Sequence, residues 1–88
     1  MRLVTSSRAR HDLRGLSRDV LPRVTEAIDA LLDNPRPPGC RLLHDLHPPA
    51  WRIRVGPWRV IYRIDDDAGV LTLVRVRHRS VAYRDRRV

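Results

Sequence analysis

The feature that most constrains this chain is a period of two running through its second half. Trp51 to Val55, Trp58 to Ile64 and Val70 to Arg77 each alternate, and the breaks between them, Gly56-Pro57 and Asp65 to Gly69, are turn-forming. A strand sends successive side chains to opposite faces, so the three runs read as an antiparallel meander. Trp51, Ile53 and Val55 share one face, with Arg52 and Arg54 on the other. Trp58, Val60, Tyr62 and Ile64 oppose Arg59, Ile61 and Arg63, and in the last strand Thr72, Val74 and Val76 oppose Leu71, Leu73, Arg75 and Arg77. One face of such a sheet packs on other elements, and the second is basic.

The first half supplies what packs there. Arg2 to Thr5 reads as a short strand, and Ser6 or Ser7 caps a helix with apolar positions at Ala9, Leu13 and Leu16 and Gly15 near its end. A second helix is predicted from Asp19 as N-cap, which places Pro22 in the first turn, where its missing N–H does no harm. Val20, Val24, Ala27, Ile28, Leu31 and Leu32 form its stripe, and Asn34-Pro35 stops it. After the loop at Arg36-Pro37-Pro38-Gly39, Arg41 to His44 is a candidate strand before the Pro48-Pro49 break. The expected fold is α+β: an N-terminal strand and two helices on one face of a mainly antiparallel, four- to five-stranded twisted sheet, in the order β-α-α-β-β-β-β. A chain of 88 residues holds one modest core, so residues 1–88 are expected to form a single domain.

Charge narrows the functional class. Eighteen basic residues stand against ten acidic ones, for a formal net charge of +8, and every one of the eighteen is arginine. A guanidinium stays charged and presents a planar fork of donors matching phosphate, which favours polyanion binding. A GC-rich genome would also replace lysine with arginine, so placement has to decide. A two-residue loop at Gly56-Pro57 would set Arg54 opposite Arg59, with Arg75 or Arg77 of the last strand alongside Arg59. Like charges directly opposite cost about 0.2–1 kcal/mol. That cost is offset if an anion occupies the face; the alternative is a solvated face with splayed side chains.

Other residues are less decisive. Trp51, Trp58 and Tyr62 fall on the apolar face and read as core. Tyr83 lies past the last strand beside Arg79 and Arg84, where a ring can stack on an unpaired base or fold the C-terminal segment back on the sheet. His78 ends the last strand, on the apolar side by strict alternation. It reads equally as a hydrogen-bonded structural histidine and as an acid or base, histidine being the side chain that ordinarily titrates nearest neutrality. His11, His44 and His47 have no metal-ligand spacing, and the single cysteine, Cys40, reads as packing in a reducing compartment. The absence of a long apolar run or a leader pattern points to the cytoplasm and away from membranes.

The run from Trp51 to Asp66, followed by Val74-Arg75-Val76-Arg77-His78-Arg79 and Tyr83-Arg84, resembles the RelE branch of the RelE/ParE toxins, and the likeness in element order and length covers nearly the whole chain. The resemblance implies the toxin of a type II toxin–antitoxin pair that enters the ribosomal A site and cuts messenger RNA there. The RNA's own 2′-hydroxyl attacks the adjacent phosphate, with no metal or other cofactor. It also implies that basic residues matching Arg52, Arg54, Arg59 and Arg77 orient and stabilise the phosphate and that a tyrosine matching Tyr83 stacks on or assists the substrate; with the residues read above, Arg59, Arg77, His78 and Tyr83 are the candidate catalytic residues, and Arg52, Arg54, Arg75 and Arg79 the candidate RNA-binding ones. Better-studied members carry lysines where this chain has Arg52 and Arg54. Since arginine is a poor base, His78 is the candidate substitute. The expected partners are the ribosome, mRNA and a cognate antitoxin with an acidic or amphipathic segment. The alternative is a ParE-like toxin, which shares the fold but inhibits DNA gyrase and needs no nuclease site.

Overall fold

The computed structural model describes residues 1–82. Its element order is β1 (Arg2–Thr5), α1 (Ser7–Arg14), α2 (Val20–Asp33), β2 (Arg41–Leu43), β3 (Ala50–Val55), β4 (Trp58–Asp65), β5 (Val70–His78) and a short α3 (Arg79–Ala82). The five strands form one sheet in the order β1-β5-β4-β3-β2; β1 runs parallel to β5 and the remaining pairs are antiparallel. The expected α+β architecture is present, with α3 as an addition. None of the helices among the described residues is long and apolar enough to cross a membrane.

The helices begin where side chains satisfy their first amides. Ser6 is the N-cap of α1: its hydroxyl accepts from the Ala9 amide at 3.1 Å, and Gly15 closes the other end. At α2 the N-cap is Asp19, as expected. Asp19 makes no side-chain cap bond; the Ser17 hydroxyl accepts from the Val20 amide at 3.3 Å instead. Both helices cover the face formed by Ile53, Val60, Tyr62, Leu71, Leu73 and Val76, which are buried with Ala9, Val24, Ile28 and Leu31. Trp51, Trp58 and Cys40 pack around that core, and the buried Tyr62 hydroxyl donates to the Pro35 carbonyl at 2.6 Å.

Strict alternation fails in β5. Ile61 pairs with Arg75 but Tyr62 pairs with Leu73, so β5 carries an extra residue at a β-bulge. Leu71 and Leu73 therefore join Val76 in the helix-side core, while Val74 lies on the other side with Ile61. This corrects the expected facing of Leu71, Thr72, Leu73 and Val74. The bulge is held from α1 and its cap: the Ser6 hydroxyl donates to the Val74 carbonyl at 2.9 Å, and Asp12 accepts from both Arg75 and the Val76 amide.

The outer face is not wholly basic either. Leu46 and Ala50 bury themselves against Ile61 and Val74, with Leu43 beside them, so the segment after β2 covers part of that face. Arg63 donates to the Pro48 carbonyl at 3.2 Å and ties the segment down. The arginines hold the rest.

Candidate nucleic-acid interface

The two-residue turn at Gly56-Pro57 fixes the register of the β3–β4 hairpin, with Gly56 at φ 58°, a left-handed conformation that glycine adopts without a steric penalty. Arg54 pairs with Arg59, and Arg59 in turn pairs with Arg77, so three neighbouring strands place arginines in one cross-strand row. One residue pair further along β3, Arg52 stands opposite Arg41 of β2. The sequence located Arg52, Arg54, Arg59 and Arg77 in this pattern. It missed Arg41, because β2 reaches its partner only after a loop whose length leaves the register open.

These arginines are not equally exposed. Arg54 and Arg41 are exposed and Arg77 half-buried, whereas Arg52 and Arg59 retain only 4% and 7% of their accessible surface. Arg59, on the basic face by alternation, is therefore a buried charge and not a solvated one. Its guanidinium lies against the hairpin, donating at 3.4 Å to the carbonyls of Gly56 and Trp58. Such bonds hold the fork in place before any ligand arrives, which lowers the ordering cost of binding. Arg23 of α2 reaches the same turn, since a Cβ on Gly56 would lie 3.4 Å from its Nη2.

Arg75 goes elsewhere. The bulge carries it to Asp12, with Nε to Oδ2 at 2.8 Å and Nη2 to Oδ1 at 3.2 Å, a largely buried two-pronged ion pair. It stands apart from the arginine row. A second ion pair among the described residues, Arg36 with Asp66 at 2.8 Å, is on the surface; the paired Arg36 holds the Asp66 carboxyl below its usual value, and Arg36 also lies over the Trp51 ring at 5.2 Å.

His78 lies at the end of β5 opposite Trp58, and the two rings meet edge to face with centroids 5.3 Å apart. Its Nδ1 accepts from the Ser80 amide at 3.2 Å and stands 3.0 Å from the Ser80 hydroxyl. Ser80 thus engages Nδ1 from both its amide and its hydroxyl. Arg79 is exposed at the start of α3, and its amide donates to the Pro57 carbonyl at 2.8 Å, joining α3 to the hairpin turn. Tyr83 lies outside the described residues.

Beside the row runs a groove of about 680 Å³ between α2 and β3, lined by Ala27, Ala30, Leu31, Asn34, residues 37–39, Arg41 and residues 52–54. It exists because β2 pairs only with Ala50, Trp51 and Arg52, which leaves the outer edge of β3 open from Ile53 onward.

With this geometry in hand, known proteins give a consistent picture. The model for the ParE toxin of type II toxin–antitoxin system, parDE, matches residues 3–83. A chain of the toxin–antitoxin complex RelBE2 from Mycobacterium tuberculosis is 29% identical, with a TM-score of 0.75, over 88% of this chain and 95% of that one. A chain of the RelE–RelB complex from Pyrococcus horikoshii OT3 is 25% identical, with a TM-score of 0.77, over 92% of this chain and 97% of that one. The isolated RelE toxin of E. coli shares the fold at 20% identity and a TM-score of 0.64, over 88% of this chain and 82% of that one. Curated protein sequences give no match.

Proposed function

This chain belongs to the ParE toxin family of type II toxin–antitoxin systems, and we propose that it acts as a ribosome-dependent endonuclease of translated messenger RNA, held inactive by a cognate antitoxin. The observation that carries this reading is the register of Arg54, Arg59 and Arg77 across three strands. In-line cleavage needs the 2′-hydroxyl, the phosphorus and the leaving oxygen aligned, together with compensation for charge growing on the phosphorane. Guanidinium groups set side by side supply both.

In the reaction, the 2′-oxygen forms a bond to phosphorus and the bond to the 5′-oxygen breaks, leaving a 2′,3′-cyclic phosphate and a 5′-hydroxyl. The 2′-proton has to leave and the 5′-oxygen has to gain one. Guanidinium groups do not exchange protons readily, so His78 is assigned one of these transfers through Nε2, with Ser80 occupying Nδ1. Tyr83 is proposed to stack on or assist the substrate, and Arg52 and Arg79 to contact flanking phosphates. Arg75 has no part in this assignment, because Asp12 holds it.

The relatives crystallised as RelB–RelE complexes point to a RelB-like antitoxin as the partner of this chain. The described large apolar side chains that remain exposed are Met1, Leu3, Val4 and Leu21, three of them in or beside β1, at the opposite edge of the sheet from β2. A second reading is favoured by the family match itself: a ParE-like toxin that inhibits DNA gyrase without cutting RNA. Translation in vitro with primer extension separates the two. Ribosome-dependent cuts within codons support the nuclease, whereas intact message together with gyrase-linked DNA breaks overturns it.

A further inference from the structure

We infer that Asp12 of α1 is a positioning residue for the proposed cleavage: it holds the bulge of β5 at the place that brings Arg77 opposite Arg59. The inference rests on the RNA-cleaving reading above and adds to it a residue outside the arginine row. If the ladder that runs from Asp65↔Val70 to Tyr62↔Leu73 continued without interruption, Val60 would face Arg75, Arg59 would face Val76 and Trp58 would face Arg77. Such a one-residue slip sends each following side chain to the other face. Arg77 would then stand on the helix side, where Trp58 packs on the core, and Arg59 would lose its cross-strand neighbour. The extra residue, Val74, moves the pairing by one, so that Val60 faces Val76 and Arg59 faces Arg77. The part of the row that crosses from β4 to β5 is therefore a product of the bulge.

The place of the bulge is set from α1. β1 pairs with β5 only as far as Leu73, so beyond that point this edge of β5 has no strand beside it among the described residues. Ser6 and α1 take the strand's place. The Ser6 amide donates to the Leu73 carbonyl at 3.0 Å and its hydroxyl to the Val74 carbonyl at 2.9 Å, while Oδ2 of Asp12 accepts from the Val76 amide at 2.9 Å. The same carboxylate takes Nε and Nη2 of Arg75, and so keeps that guanidinium away from Val60, the partner an uninterrupted ladder would give it. Arg75 and Val76 are the two residues between Val74 and Arg77, and Asp12 grips both. Burial of Val76 favours the same register, so a test has to separate the carboxylate from the core.

Asp12→Ala, deletion of Val74, and the two combined are made in the full chain and assayed at a temperature where circular dichroism shows each to be folded. Deleting Val74 leaves a regular strand in which Arg77 still faces Arg59 and no bulge has to be held. On ribosomes programmed with message, Asp12→Ala is expected to lower turnover by about 10–100-fold at an unchanged half-saturating ribosome concentration, as small misplacements of a reacting-site group do. In NMR spectra of the same variant, cross-strand NOEs between Val60 and Val76 should weaken. Adding the Val74 deletion should bring turnover back to that of the deletion alone. A carboxylate that only stabilises the fold would leave both turnover and NOEs of the folded Asp12→Ala protein as they were, and that result overturns the proposal. A loss of turnover that the deletion does not restore overturns it too. If the combined variant does not fold, the NOEs of Asp12→Ala decide; if Asp12→Ala itself does not fold, Asp12→Asn, which gives up the charge, is measured in its place with the same two outcomes. If the unaltered chain cuts no message, the nuclease reading falls, and the NOEs alone decide whether Asp12 sets the register.

Discussion

Asp12 holds Arg75 at 2.8 Å and accepts from the Val76 amide at 2.9 Å, so one carboxylate in α1 fixes the bulge of β5. The pair is separated by 63 positions in sequence, and both side chains are mostly buried, at 10% and 13% of their accessible surface. Truncating one partner of such a pair leaves the other charge without its counterion.

Asp12→Ala is therefore expected to destabilise the fold by roughly 3 kcal/mol. In a domain of this size that corresponds to a fall of more than about 10 °C in melting temperature. Thermal denaturation followed by circular dichroism checks it. A change of a degree or two would mean that the bulge is held by strand pairing alone.

Arg77→Ala and Arg59→Ala are expected to differ. Each should reduce ribosome-dependent cleavage by about 100-fold or more, the usual effect of losing one fixed donor to transition-state charge. Arg77→Ala should leave the melting temperature nearly unchanged, while Arg59→Ala should also lower it, because Arg59 is buried against the hairpin carbonyls. Cleavage rates and melting curves on the same preparations decide. Full cleavage by a folded Arg77→Ala protein would remove the row from the mechanism.

Tyr62 makes the stability of the fold sensitive to alkali. Burial pushes its phenol well above the ordinary value of 10.0, so the folded state keeps a proton that the unfolded state releases. The contribution is complete below pH 10 and is lost as pH rises towards the folded value, by up to about 1.4 kcal/mol for each unit. Tyr62→Phe should cost about 1 kcal/mol near neutrality, by orphaning the Pro35 carbonyl, and should flatten the alkaline limb. Urea midpoints measured at pH 7 and above pH 10 compare the two proteins; parallel limbs would contradict the assignment.

Gly56→Ala should lower stability by about 1–2 kcal/mol, since φ 58° is unfavourable for a residue with a Cβ. The new methyl would also touch Arg23 at 3.4 Å. Gly15→Ala is the control, because Gly15 has φ −82° and its added Cβ would be in ordinary contact at 3.5 Å. Equal stability of the two variants would mean that the hairpin turn tolerates a different backbone geometry.

The sequence made the elements and the β3–β4 register readable because period two and a two-residue turn are local signals. Arg54 against Arg59 follows from counting alone. The β5 bulge was hidden, since it depends on Ser6 and Asp12, which meet the strand only after the chain has folded. Alternation also says which side a residue takes but not how deeply it sits, so the burial of Arg52 and Arg59 could not be read from it. The Arg41–Arg52 pairing escaped for a related reason: a loop containing Leu46 and two consecutive prolines separates the two strands.

That same loop shapes what the outer surface can accommodate. By folding Leu46 onto Ile61 and Val74 it covers the sheet there, while the Arg54–Arg59–Arg77 row lies nearer the hairpin turn. The described part of that surface is thereby divided between an apolar area under the loop and a charged area beside the hairpin.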